Sequence, residues 1–116
     1  MADHSDLRQR TKGFALRVIK LVEALPRTRT ADVLGKQLLR CGTAVGANYR
    51  AAGRARSRAE FAAKLGIVVE EADESMYWLE LLSESRVVKP ESLIELQKEA
   101  QELTAIFTTA RKNSKQ

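Results

Sequence analysis

One cysteine, one histidine, two prolines and six glycines are all that this 116-residue sequence holds of the residues that staple, ligate or punctuate a chain. A single cysteine, Cys41, excludes an internal disulfide framework and a cysteine-rich zinc site. A lone His4 excludes a paired-histidine metalloprotease helix and the Glu-x-x-His pairs of di-iron bundles. So few turn residues argue against a many-stranded β architecture. The longest apolar stretch near the middle, Leu65 to Val69, is far short of a membrane span, so no membrane partner is expected. The opening Met1 to Asp6 lacks a basic-then-apolar signal pattern, and a cytoplasmic location is expected. Phosphate-loop and nucleophile-elbow motifs are missing too. The expectation is a non-enzyme with no catalytic residue, no cofactor and no metal.

What is present is helical periodicity. Leu7, Thr11, Phe14, Val18, Leu21 and Leu25 advance in steps of three and four, as do Leu34, Leu38, Cys41, Val45, Tyr49 and Ala52. Phe61, Leu65, Val68, Ala72, Met76 and Leu79 form a third seam, and Leu93, Leu96, Ala100, Leu103, Phe107 and Ala110 a fourth. Ser5 and Thr30 suit the starts of the first two helices, and Pro26 stops the first. Gly53 falls where the second needs a left-handed ending. Ser57-Arg58-Ala59-Glu60 is a capping box, and Pro90 suits the first turn of the fourth helix. The reading is all-α: one domain over 1–116, with helices over 6–25, 31–53, 58–84 and 90–111 and a frayed tail over 112–116. Short connections make it an antiparallel up-down-up-down four-helix bundle.

Residues off the seams carry the functional signal. Gly35, Gly42, Gly46 and Gly53 fall on one line of the second helix, about 100° from its apolar seam. Four helical glycines cost about 1 kcal/mol each against alanine, which implies that another backbone comes close. It belongs either to the same bundle or to a second subunit through Gly42 and Gly46. On the third helix, Tyr77, Trp78 and Leu81 sit off the seam among Glu70, Glu71, Asp73, Glu74, Glu80 and Glu84. Such aromatic residues are usual interface anchors, although a wide contact angle could also bury them inside the bundle. Carboxylates three and four apart read as a solvated face rather than a metal site.

Charge is strongly segregated along the chain. Residues 1–30, 31–59, 60–86 and 87–116 carry balances of +4, +5, −5 and +1. Between Val33 and Ala59 there are Lys36, Arg40, Arg50, Arg54, Arg56 and Arg58 and no acid. Lys36, Arg40, Arg50 and Arg54 share an outward face. A basic face and an acidic, aromatic face on one chain suit a heterologous contact that closes into a ring, with Glu71 and Glu74 on its acidic side. The same six cations suit phosphate, with Arg58 at a helix N-terminus. With no base-reading element or stacking platform, binding would be phosphate-led and salt-sensitive.

The central residues resemble a known family. Gly35-Lys36-Gln37-Leu38-Leu39-Arg40-Cys41-Gly42-Thr43-Ala44-Val45-Gly46-Ala47-Asn48-Tyr49-Arg50 is similar to the second-helix motif of four-helix-bundle proteins encoded in intervening sequences of bacterial 23S rRNA genes, also called the S23 ribosomal protein family. Arg54 to Phe61, Lys64 to Ile67 and Glu70 to Glu74 extend the likeness, which runs from about Phe14 to Leu82. Cys41 stands where many members have Ser. The resemblance implies a homopentamer without established enzymatic activity. It also implies kinship with the accessory variability determinant of diversity-generating retroelements, a basic bundle that binds nucleic acid and a reverse transcriptase. A reverse-transcriptase partner is therefore implied only by distant analogy. The resulting expectation is a ring that binds RNA or DNA backbone, as an accessory to a retroelement or an RNA-processing machine. The alternative is a homo-oligomeric protein-interaction scaffold that ignores nucleic acid.

Overall fold

Each helix begins and ends where backbone chemistry dictates. In this computed structural model, which describes residues 4–115 and only the backbone of His4 and Ser5, α1 spans His4–Glu23. The helix is already under way before Ser5, so the expected cap is displaced. It closes through tightened i→i+3 bonds, Ala24 N–H to Leu21 O at 3.1 Å and Leu25 N–H to Val22 O at 3.2 Å, just before Pro26. The cap of α2 (Arg29–Ala52) is Thr28 rather than Thr30: its extended backbone lets its hydroxyl accept the Ala31 N–H at 3.1 Å. Gly53 ends α2 in a right-handed conformation, φ −63°, so no left-handed turn is needed there. Ser57 caps α3 (Arg58–Glu84) as expected, accepting the Glu60 N–H at 3.0 Å.

The left-handed residue instead follows α3, where Arg86 takes φ 62°. Pro90 begins a 3₁₀ turn, Pro90–Ser92, and α4 runs from Ile94 to Ser114. The tail expected to fray is therefore helical through Ser114, with Arg111 and Lys112 favourably placed against the helix dipole.

Neighbouring helices run antiparallel. Down α1 and up α2, Thr11 lies beside Gly46, Val18 beside Gly42 and Leu25 beside Gly35. Arg40 meets Glu71 and Glu74 across α2 and α3, Gly66 meets Arg111 across α3 and α4, and Thr104 meets Met76. The bundle measures 45 × 23 × 20 Å. Phe14, Val18, Leu38, Val45, Leu65, Val68, Leu79, Leu103 and Phe107 are sealed from solvent, each large apolar side chain contributing about 1.5–3 kcal/mol. Tyr49 of α2 reaches across to Phe107 of α4, ring centroids 5.1 Å apart. Thr11, the polar member of the first seam, is satisfied by donating to Leu7 O at 2.8 Å. Among the described residues no helix is long and apolar enough to cross a membrane.

Candidate nucleic-acid interface

Antiparallel packing turns segregation along the sequence into segregation in space. The N-terminus of α1, the α2–α3 junction and the C-terminus of α4 meet at one end of the bundle. Residues 6–13, 43–69 and 104–115 bring eleven lysines and arginines there, against Asp6 and Glu60 alone among the described carboxylates. The other half carries nine cations and twelve carboxylates, so the excess positive charge is concentrated at one end. Part of that charge serves the fold: Arg50, Arg111 and Lys112 lie in last helical turns, where the dipole favours cations.

The six cations expected to meet phosphate do not act together. Arg40 is held by its own chain, 2.7 Å from Glu74 and 3.4 Å from Glu71. Lys36 pairs with Asp32 at 3.2 Å and lies about 21 Å along α2 from Arg50. Both are thereby removed from the basic end. Arg56 is nearly fully exposed, 3.9 Å from Glu60, and Arg58 opens α3. Arg50 and Arg54 do come together, and they face Arg8 and Lys12 of α1. These two α1 cations were not singled out in the sequence, although the +4 balance of residues 1–30 held the signal.

Two adjoining grooves separate these cations. One, of about 330 Å³, is lined by Arg8, Lys12 and Arg50 above a floor of Thr11, Ala15, Thr43, Gly46 and Ala47. The second, of about 420 Å³, is lined by Arg8, Tyr49, Arg50, Gly53 and Arg54. Neither contains a described carboxylate.

The expected subunit-contact residues also divide. Gly42 and Gly46 do not face outward: a Cβ at Gly42 would lie 3.0 Å from both Val18 methyls, and one at Gly46 3.1 Å from Thr11 Oγ1. The close backbone that the glycine line implied is α1 of the same chain. Glu71 and Glu74 are likewise engaged by Arg40 within the chain. Trp78 packs partly against the core, with its indole N–H enclosed and unpartnered among the described residues. Tyr77 stays 52% exposed and meets the Trp78 ring edge-on at 5.2 Å, while Leu81 is half-buried. Ile67, 41% exposed, was passed over in the sequence. At 100° per residue Ile67, Tyr77 and Leu81 fall within an arc of about 80° on the side of α3 opposite its seam.

Two titratable groups depart from their ordinary behaviour. Hydrogen bonding to Glu99, reinforced by its charge and by Glu102, holds the Arg10 guanidinium above its usual range. Burial pushes the Cys41 thiol up; it lies 3.3 Å from the Ser75 hydroxyl. Among the described residues no His, Cys, Asp and Glu side chains are grouped to hold a metal ion.

Comparison with known proteins places this architecture. The model of the 23S rRNA-intervening sequence protein family matches residues 3–109. A protein of unknown function from the S23 ribosomal protein family of Bacteroides thetaiotaomicron has a similar crystal structure. It is 34% identical, with a TM-score of 0.87 over 94% of this chain and 97% of that one. No curated protein matches the chain.

Proposed function

Since the chain belongs to the 23S rRNA-intervening sequence protein family, we propose that it is a non-enzymatic, ring-forming bundle that binds RNA or DNA through the phosphate backbone. The observation that carries this reading is the end-to-end division of charge, which gives a polyanion one end to approach. Such binding is led by counterion release, weakens steeply with salt and discriminates little between sequences. A ring would set several copies of the basic end side by side, so that avidity rather than one site sets affinity.

The ring reading rests on α3. Its apolar residues occupy both the core side and the opposite line, where Ile67 and Tyr77 are exposed among acidic neighbours. A helix apolar on two sides is suited to burial on both. The resemblance described above supplies a pentamer as the ring size.

Light scattering on a size-exclusion column, with absorbance at 260 and 280 nm across the peak, tests both parts. The expected result is a mass of about five chains with excess absorbance at the shorter wavelength. A ring free of nucleic acid would favour the protein-interaction scaffold, and a monomer would remove the ring. Replacing Arg50, Arg54, Arg56 and Arg58 with Gln should weaken binding of mixed RNA and leave the mass unchanged; unchanged binding would sink the assignment.

A further inference from the structure

We propose that the groove between α1 and α2 is the seat of a single phosphodiester strand, with Arg8 and Lys12 supplying half of its cations. This rests on the nucleic-acid reading above and names the place and the partner residues. Arg8 and Lys12 are one turn apart on α1, about 6 Å along the helix, while Arg50 lies in the last turn of α2 and Arg54 just past its Gly53 cap. The rise from Arg8 to Lys12 is close to the spacing of successive phosphates on one strand. The two pairs face each other across adjoining grooves that share Arg8 and Arg50 and contain no described carboxylate. None of the four has an ion-pair partner among the described residues, whereas Arg10, Lys36, Arg40 and Arg56 all do.

The shape of the groove favours a strand over a surface patch. The glycine line that brings α1 against α2 also keeps the floor low. At Gly46 a Cβ would meet Thr11, and beside it Ala47 and Ala15 end in a methyl group. A linear polyanion can settle between the arginines because nothing bulky rises from that floor. Tyr49 forms part of the wall of the second groove but is buried, its ring packed against Phe107. No base is stacked there by this tyrosine, and the contact reads charge and spacing.

The test is fluorescence anisotropy with the full chain and three labelled probes: a mixed-sequence RNA strand, the DNA strand of the same sequence, and the RNA duplex. Titrations run from about 50 to about 200 mM salt. The double variant Arg8→Gln/Lys12→Gln should lose at least about tenfold in affinity at low salt and lower the salt slope by about two. Arg50→Gln/Arg54→Gln should match it. Arg27→Gln/Arg29→Gln, an equal charge loss at the opposite end, should bind like the wild type. Tighter binding of both single strands than of the duplex supports the proposal, and tighter binding of the duplex overturns it.

If the wild type binds while Arg8→Gln/Lys12→Gln behaves like Arg27→Gln/Arg29→Gln, the groove is overturned and the nucleic-acid reading stands. If the wild type binds none of the probes, both fall. A drop in mass of Arg8→Gln/Lys12→Gln on light scattering would make the groove a subunit contact and overturn the proposal. Ala47→Glu is the second variant, since it keeps every cation and sets a carboxylate on the exposed floor. It should weaken binding in the same way, and undiminished binding by this variant overturns the proposal even if the double variant fails to fold.

Discussion

A methyl group added at Gly13 would meet nothing within 4 Å, whereas one added at Gly42 would press on both methyls of the sealed Val18. Both glycines are helical, so alanine offers each about the same gain in helix propensity. Val18 is β-branched and stiff about χ1, and cannot turn away. Gly13→Ala should therefore raise stability by about 0.5–1 kcal/mol, and Gly42→Ala should lower it by about 1–2 kcal/mol, both read from urea unfolding. The helical wheel was enough to show that some backbone approached this line, but not whose, because spacing within α2 carries no record of its neighbour. Cys41 is a second case. Its thiol pKa is raised by burial above the ordinary 9.0, so the fold favours the protonated form. The stability this thiol supports is full below about pH 9 and is lost as pH rises from the unfolded value through the folded one. Cys41→Ser should lack this component, and the denaturation midpoints of variant and wild type should converge as pH rises above 9. A difference that stays constant with pH would contradict it.

At the scale of the element, α1 is the least evenly held helix. Along α2 it is packed at Gly35, Gly42 and Gly46, but its seam with α4 is open on both sides of one ion cluster. There Arg10 grips Glu99 with Nε at 3.1 Å and Nη2 at 2.6 Å, and reaches Glu102 at 3.2 Å. A two-pronged, partly buried contact of this kind exceeds an ordinary surface pair. Arg10→Gln should lower the cost of local opening by about 1 kcal/mol, which is roughly fivefold in amide exchange. The faster exchange should be confined to α1 and the facing part of α4; equal acceleration in α2 and α3 would show that α1 does not open alone. Helix order and seams were legible because period and length decide them. Arg10 was not, since its partners are 89 and 92 residues away. The helix ends that moved did so for local reasons: Thr28 could reach Ala31, and Pro90 tightened into a 3₁₀ turn that delayed α4.

At the scale of the whole molecule, charge is arranged by topology. The sequence shows four blocks of charge, and only the up-down order reveals that residues 6–13 and 104–115 join the α2–α3 junction at one end. The grouping of the candidate site was therefore half legible: Arg50 and Arg54 lie together with Arg8 and Lys12, while Lys36 and Arg40 are claimed by acids of their own chain. That last fact changes which acidic residues can bind a neighbour. Glu71 and Glu74 already hold Arg40, while Ile67 and Tyr77 stand exposed on the line opposite the core. Glu71→Gln/Glu74→Gln should thus leave the assembly mass unchanged and cost no more than about 1 kcal/mol in stability, as befits an exposed pair. Ile67→Glu/Tyr77→Glu should keep the helical circular dichroism and reduce the mass on light scattering, because two carboxylates would then have to be buried against another copy. If neutralising Glu71 and Glu74 dissociates the assembly while Ile67→Glu/Tyr77→Glu leaves it whole, Arg40 must exchange its partners for those of a neighbour, and α2 rather than the outer line of α3 carries the contact.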